Sequence, residues 1–242
     1  MRRWSVFAYG LVCYASFVVV FAYTMGFVSG VGVPKTVDGP AAAPPREAAL
    51  VDVVLLVAFA VQHSLMARAS FKRWWTQWVP ESIERSTYVI ASSLILGLLF
   101  WQWQPIAAFV WHVESPPGRV VLHSLQVCGW LLVLVATALI NHADLFGLRQ
   151  VMVFLRGRRY FSPGFVTPGP YHIVRHPLYL GWLLAFWATP DMTGGHLLFA
   201  GGMTGYVRLA IAFEERDLLQ EHGRKYREYR SRVPMLLPWP RR

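Results

Sequence analysis

The segment Thr167–Gly181, TPGPYHIVRHPLYLG, gathers more chemistry than any other stretch of this chain. Prolines at 168, 170 and 177 and glycines at 169 and 181 forbid one continuous helix there. At membrane depth such an irregular backbone is tolerated only where protein or a polar ligand satisfies its amide groups. Arg175 and His176 offer donors to an anionic group such as a carboxylate. Tyr171 and Tyr179 offer aromatic faces that can stack or meet a cation. The plainer alternative is an interfacial loop whose Arg and Tyr side chains meet lipid headgroups. Further on, Glu214 and Glu215 follow directly on an apolar run. Ionised carboxylates at that point suit an ammonium or ribose hydroxyls, against a solvated helix start favoured by the helix dipole. His172 and His176 are four apart and invite a metal reading. Arg175 beside them repels a cation, Pro177 breaks the helix and no third ligand is evident, so no metal is expected.

These residues need elements to hold them, and composition says which. Of 242 residues 55% are hydrophobic and 15% charged, where a soluble domain carries about a quarter charged. Residues 4–34, 86–113 and 120–143 contain no Asp, Glu, Lys or Arg, and 48–67 contains only Asp52. Each is long enough to cross a hydrocarbon layer, which takes about 20 residues. The first run is too long for a secretory signal and no small-residue cleavage site follows it, so it reads as a retained span. Residues 178–190 and 192–207 are apolar but short, with Asp191, Gly194 and Gly195 about their junction. They predict a helical hairpin, either re-entrant or tilted across the bilayer. A last amphipathic helix is expected from about Ile211 to Arg232, broken at Gly223. The fold class is therefore all-α: a polytopic membrane helix bundle with four clear spans, a C-terminal helical hairpin and a cytosolic amphipathic helix. The loops at 33–46 and 114–118 lack linker character, so one domain is expected over 1–242, with N-terminal spans in 1–118 and the core in 119–242.

The net charge of +10 has a topological explanation. With the N-terminus in the cytosol and four alternating spans, the cytosolic segments 1–3, 67–85, 143–177 and 214–242 carry 19 of the 23 Lys and Arg residues. That is the positive-inside pattern, and it displaces nucleic-acid binding as the meaning of the charge. Cys13 and Cys128 fall inside predicted spans, too few and too far apart for a zinc site or a disulfide framework.

GPYHIVRHPLYLG, followed some thirty residues later by EERDLLQEHGRKYREYRSRVP, resembles the membrane methyltransferases related to isoprenylcysteine carboxyl methyltransferase. The resemblance covers roughly residues 120–238. It implies an S-adenosylmethionine pocket facing the cytosol, with Tyr171, Arg175, His176, Pro177 and Tyr179 on the cofactor and Glu214 or Glu215 on its polar end. A strand-like approach at Phe165 and Val166 would give backbone contacts to the adenine. Arg224 departs from the acidic residue common in the family after the glycine. VPKTVDGP, VQHSLMAR, ERSTYV and NHADLFGLRQ resemble the bacterial methanethiol S-methyltransferase branch, which implies a small thiol acceptor and dimethyl sulfide as product. The bacterial inner membrane, with both termini cytosolic, is the expected location, and no obligate protein partner is expected.

Alternating spans place Gln62–His63, Glu84–Tyr88 and Asn141–His142–Asp144 on the same membrane face as the proline-bounded segment. Polar groups in spans usually face a bundle interior or an aqueous cavity. A thiol with a pKa near ~8.5 is mostly protonated at neutral pH, and a histidine suits the removal of its proton. His142 is the first candidate and His63 the second, with Asn141 to orient the base or the thiol. Asp144 can orient His142 only if the helix has ended, because residues two apart do not share a helix face. Methylation of a prenylated or lipid substrate, an NADPH-dependent membrane reductase and a transporter are the competing readings; inverted repeats, frequent in transporters, are not detected.

Overall fold

The computed structural model describes residues 2–41, 43–162 and 164–238. Its helices are α1 (Arg3–Ser29), α2 (Pro45–Ala67), α3 (Ala69–Trp75), α4 (Glu81–Gln102), α5 (Pro116–Leu145), α6 (Leu148–Leu155), α7 (Pro177–Trp187) and α8 (Gly194–Arg232). A 3-10 turn covers Gly169–His172, and two short strands, β1 (Phe109–His112) and β2 (Asp191–Thr193), pair antiparallel. Among the described residues five helical stretches are long and apolar enough to cross a membrane: α1, α2, α4, α8, and α5 with its continuation through α6. Their flanks leave apolar side chains bare, with Val19, Leu50 and Leu94 each 67% exposed. Surfaces of that kind suit lipid as solvent, and the membrane helix bundle expected from the sequence is the architecture found.

The chain divides into two compact units, residues 1–107 with 141–163, and residues 108–140 with 164–242. In the first unit α1 packs on α4 and α6, and α2 packs on α4. Phe27 of α1 is fully buried, 4.7 Å from the ring of Phe100 and edge-on to Trp103. Gly10 brings α1 close to α6: a β-carbon there would fall 2.6 Å from Val151 Cγ2. Asp52, the one charge in its apolar run, is fully buried, and its Oδ1 accepts the backbone N–H of Gln104 at 2.8 Å, just past α4. The lone acid of an apolar span thus gives a charged acceptor to a backbone N–H just beyond a helix end.

In the second unit α5 and α7 run antiparallel with backbones almost touching. A β-carbon on Gly129 would lie 2.6 Å from Ala185 N, and one on Gly181 would lie 2.8 Å from Gly129 O. Small residues permit such an approach between spans. Gln126 donates to the Ala185 carbonyl at 3.2 Å, and Trp130 meets Trp182 edge-on. Pro177 starts α7, where its missing N–H costs nothing. Thr193 caps α8, its Oγ1 accepting from His196 N at 3.1 Å.

The strands settle the hairpin. α7 rises only about 16 Å over its 11 residues, and a non-helical stretch then carries the chain to β2. There it pairs with β1, just before α5 begins. The tip therefore reaches the Pro116 end of α5 rather than turning back short of it. Two sequence expectations need correction. The amphipathic helix is not separate: α8 runs unbroken from Gly194 until Gly223, whose φ of 50° and ψ of −116° bend it where a break was expected. No strand forms at Phe165–Val166, because that stretch finds no neighbouring strand, while the pairing partners lie at 109–112 and 191–193.

Candidate active site

The proline-bounded segment and the acidic pair come together in the second unit. Glu215 lies on the buried face of α8 and Glu214 on its exposed face, their side chains 7% and 44% exposed. Glu215 Oε1 accepts from Arg175 Nε at 2.8 Å and lies 3.1 Å from His176 Nε2; Oε2 lies 3.3 Å from Arg230 Nε. One carboxylate thus serves two guanidinium groups and an imidazole. The Arg175 fork is completed by the chain itself, with Nη1 donating to the carbonyls of Arg230 at 3.2 Å and Val233 at 2.5 Å. The backbone N–H groups of Arg175 and His176 donate to the Pro234 and Met235 carbonyls at 2.8 and 3.1 Å. A buried ion pair is sustained only when its remaining donors and acceptors are satisfied in this way.

Arg175, His176, Pro177 and Glu215 are buried, whereas Tyr179 is half-buried and Val166 exposed. The His176 and Tyr179 rings are 5.7 Å apart. Tyr171 is buried on the 3-10 turn, and its carbonyl accepts from Tyr229 Oη at 2.6 Å. Burial first, then the Glu214 and Tyr229 charges, push the Tyr171 phenol far above its ordinary range, so it stays protonated. His176 Nδ1 is 3.9 Å from Glu214 Oε2. Around the bend at Gly223, the Phe165 ring lies 5.2–5.6 Å from those of His222, Tyr226 and Tyr229, and Lys225 Nζ donates to the Phe165 carbonyl at 3.3 Å.

Two contributors escaped the sequence reading. Arg230 lies on the far side of Gly223 from Glu215, and only the bend returns it. Tyr226 is 1% exposed, yet its hydroxyl has no hydrogen-bond partner among the described residues. Its place on the apolar stripe of the last helix was a visible signal; the missing partner was not.

The thiol-base candidates lie in the first unit. Both ring nitrogens of His63 are engaged, Nδ1 with Ser92 Oγ at 3.0 Å and Nε2 with Tyr88 Oη at 2.7 Å. His142 has Nε2 on Tyr14 Oη at 2.8 Å and its ring among Phe17 and Phe146. Asn141, with φ 101° and ψ 74°, breaks α5, and its side-chain oxygen accepts from Asp144 N at 3.3 Å. The helix does end there, but Asp144 Oδ1 receives Tyr160 Oη at 2.8 Å and Arg149 Nη1 at 3.5 Å rather than His142. Tyr14, absent from the sequence candidates, orients His142 instead.

Over 242 residues the chain is 55% identical to methanethiol S-methyltransferase of Mycobacterium tuberculosis, covering 100% of this chain and 99% of that one. The chain belongs to the methanethiol S-methyltransferase family. Methanethiol S-methyltransferase 1 of Bradyrhizobium diazoefficiens is 50% identical over 239 residues, covering 99% of this chain and 84% of that one. The Crocosphaera subtropica member of the family is 48% identical over 239 residues, with coverage of 99% and 94%. No protein-family model matches the chain, and no solved structure matches it. As a family member the chain is a membrane methyltransferase, and its buried ion-paired core and aromatic cluster are the features to set against a methyl donor.

Proposed function

We propose that this protein transfers the methyl group of S-adenosylmethionine to methanethiol, giving dimethyl sulfide, at the cytosolic face of a bacterial inner membrane with both termini cytosolic. The observation that carries the reading is the orphaned, buried Tyr226 hydroxyl beside an aromatic cluster and the exposed Glu214 carboxylate. Buried polar groups are seldom left unpaired, so such a hydroxyl suits a ligand partner. S-adenosylmethionine has an aromatic base, ribose hydroxyls and an ammonium, and these suit the Phe165–Tyr229 cluster, the Tyr226 hydroxyl and Glu214 respectively. We assign Val166, Tyr171, Tyr179 and Glu214, with Tyr226 added, to contact the cofactor. Arg175, His176, Pro177 and Glu215 hold that surface in shape. When bound, the cofactor supplies an electrophilic methyl group on a sulfonium.

For the acceptor, a free thiol must lose its proton to become an effective nucleophile. His63 has no nitrogen to spare, and we leave it out of the chemistry. His142 can donate Nε2–H to the Tyr14 oxygen, which leaves the Nδ1 lone pair to take the thiol proton. Asn141 supplies the helix break that turns this ring out of the α5 register. Positively charged segments favour the cytosolic side, and 19 of the 23 basic residues lie on the segments assigned there.

The test is incubation of the purified protein with methyl-labelled S-adenosylmethionine and methanethiol, scored for labelled dimethyl sulfide in the headspace. Prenylcysteine is the parallel acceptor, and thermal protection by NADPH is the parallel ligand test. Label on prenylcysteine alone, or protection by NADPH and not by S-adenosylmethionine, overturns the proposal. His142→Gln should lower kcat by about 100-fold, the usual scale of general-base catalysis, with cofactor affinity within about twofold. An unchanged kcat removes the base and leaves the methyl transfer standing.

A further inference from the structure

Outside the reaction chemistry, one end of the first unit collects positive charge with no acidic side chain paired to it among the described residues. α6 ends in a Schellman turn: Gly157 N donates to Phe154 O at 3.0 Å, Arg158 N donates to Val153 O at 3.0 Å, and Gly157 has φ 66°. The turn displays Arg156, Arg158 and Arg159, all exposed. Gly157 is needed for more than its dihedral. A β-carbon on it would fall 2.8 Å from Arg3 Nη1, so the first arginine of α1 lies across the turn. Four arginines therefore share one small region. The chain contains no Asp or Glu before Asp38 and none between Asp144 and Asp191. No ion pair involves these four arginines among the described residues. Arg149, the basic residue within α6, is already committed to Asp144.

Like charges gathered without a counter-ion repel one another, and the arrangement is stable only with an anionic partner or full solvation. The level of the cluster selects the partner. Arg3 opens an apolar span, Trp4 beside it is 71% exposed, and Phe161 beyond the turn is 69% exposed. Aromatic rings next to the end of a span sit at the headgroup layer, and guanidinium forks match phosphate oxygens. That face has both the charge and the aromatic flank that a lipid requires. We propose that Arg3, Arg156, Arg158 and Arg159 form a binding site for the phosphate of an anionic phospholipid, with Trp4 and Phe161 set against its acyl-glycerol region.

The test uses the detergent-solubilised full chain titrated with fluorescent phosphatidylglycerol, and with the zwitterionic phosphatidylcholine analogue, of zero net charge, as the control. Each arginine near an anionic surface is worth roughly a fivefold change in binding, so phosphatidylglycerol should bind at least about fivefold tighter than phosphatidylcholine. The triple variant R156Q/R158Q/R159Q should lose that preference, whereas R216Q/R224Q/R227Q, with the same charge removed from α8, should keep it. If the triple variant does not fold, R158Q alone should reduce the preference several-fold. Inorganic phosphate at millimolar concentration should not displace the lipid. Equal binding of both lipids, retention of the preference in R156Q/R158Q/R159Q, its loss in the α8 variant, or displacement by phosphate alone each overturns the site. None of these readouts requires methyl transfer, so the site and the proposed activity stand or fall separately.

Discussion

The two ends of α7 carry the same chemistry in opposite surroundings. Before its start, Arg175, Glu215 and His176 form one trio; beyond its end, Arg119, Asp191 and His112 form another. In the second trio Arg119 grips Asp191 with two bonds, of 3.0 and 2.7 Å, and His112 Nδ1 lies 2.5 Å from Asp191 Oδ1. The distances are alike, but the side chains are 1%, 7% and 3% exposed in the first trio and 34%, 31% and 50% in the second. Water screens the outer trio and repays any bond it loses. The inner trio has no such reserve, and removing one partner strands a buried charge. The inner trio also joins segments forty residues apart in sequence and ties in the chain end through Arg230, Val233, Pro234 and Met235. The outer trio only reinforces a pair of strands already hydrogen-bonded. Burial, not bond length, decides which trio the site depends on.

The comparison breaks most sharply at Glu215. Glu215→Gln keeps the shape and removes the charge facing Arg175, His176 and Arg230. The loss expected from an uncompensated buried ion is about 3–5 kcal/mol. Thermal inactivation of the purified protein should move down accordingly, and binding of S-adenosylmethionine should fall beyond detection. If stability and cofactor binding both survive, the inner trio is no more consequential than the outer one. Arg175→Lys is the next step down. It keeps the positive charge but cannot serve Glu215 and two carbonyls from one planar fork, so about 2–3 kcal/mol should be lost. A lysine variant as stable as the parent would mean that charge alone, without the fork, holds the segment.

Tyr226→Phe separates stability from binding. The hydroxyl removed has no partner among the described residues, so the unliganded protein should lose nothing and can gain up to about 1 kcal/mol. Affinity for S-adenosylmethionine should nonetheless fall by about fivefold to tenfold, the worth of one hydrogen bond. A stability loss without an affinity loss would return Tyr226 to plain packing.

How much of this was legible in the sequence follows from the same contrast. The uncharged runs gave the spans, because hydrocarbon demands length and apolarity whatever the neighbours are. Pro177 and Gly223 marked breaks for equally local reasons. The choice between Glu214 and Glu215 was not legible. Neighbours on a helix point about 100° apart, and an α8 with apolar residues nearly all round before Glu214 offers no phase to read. His63 and His142 looked alike for a related reason: both sit at span ends, and only the tertiary partners Ser92, Tyr88 and Tyr14 show which ring keeps a free nitrogen. The strands β1 and β2, of four and three residues, are too short to carry a period, and their pairing crosses some eighty positions.

The smallest effect belongs to the outer trio and has a defined pH window. The hydrogen bond from Arg119, helped by His112, holds the Asp191 carboxyl below its ordinary pKa. A carboxyl lowered on folding adds stability wherever the unfolded chain would already be ionised, and that contribution disappears as pH falls through the folded value. The effect of the outer trio is therefore present in full at pH 7 and at pH 5, and fades below about pH 4. Asp191→Asn should cost only about 0.5–1 kcal/mol at pH 7, because all three partners are partly in water. The difference between variant and parent should shrink in 1 M salt, where charges are screened within about 3 Å, and should close below about pH 4. Thermal midpoints of the two proteins across pH 3–7 check this, with cofactor affinity unchanged throughout. A loss as large as that of Glu215→Gln, or one insensitive to salt, would mean that the strand pair at the hairpin tip, rather than burial of the inner trio, holds α7 in place.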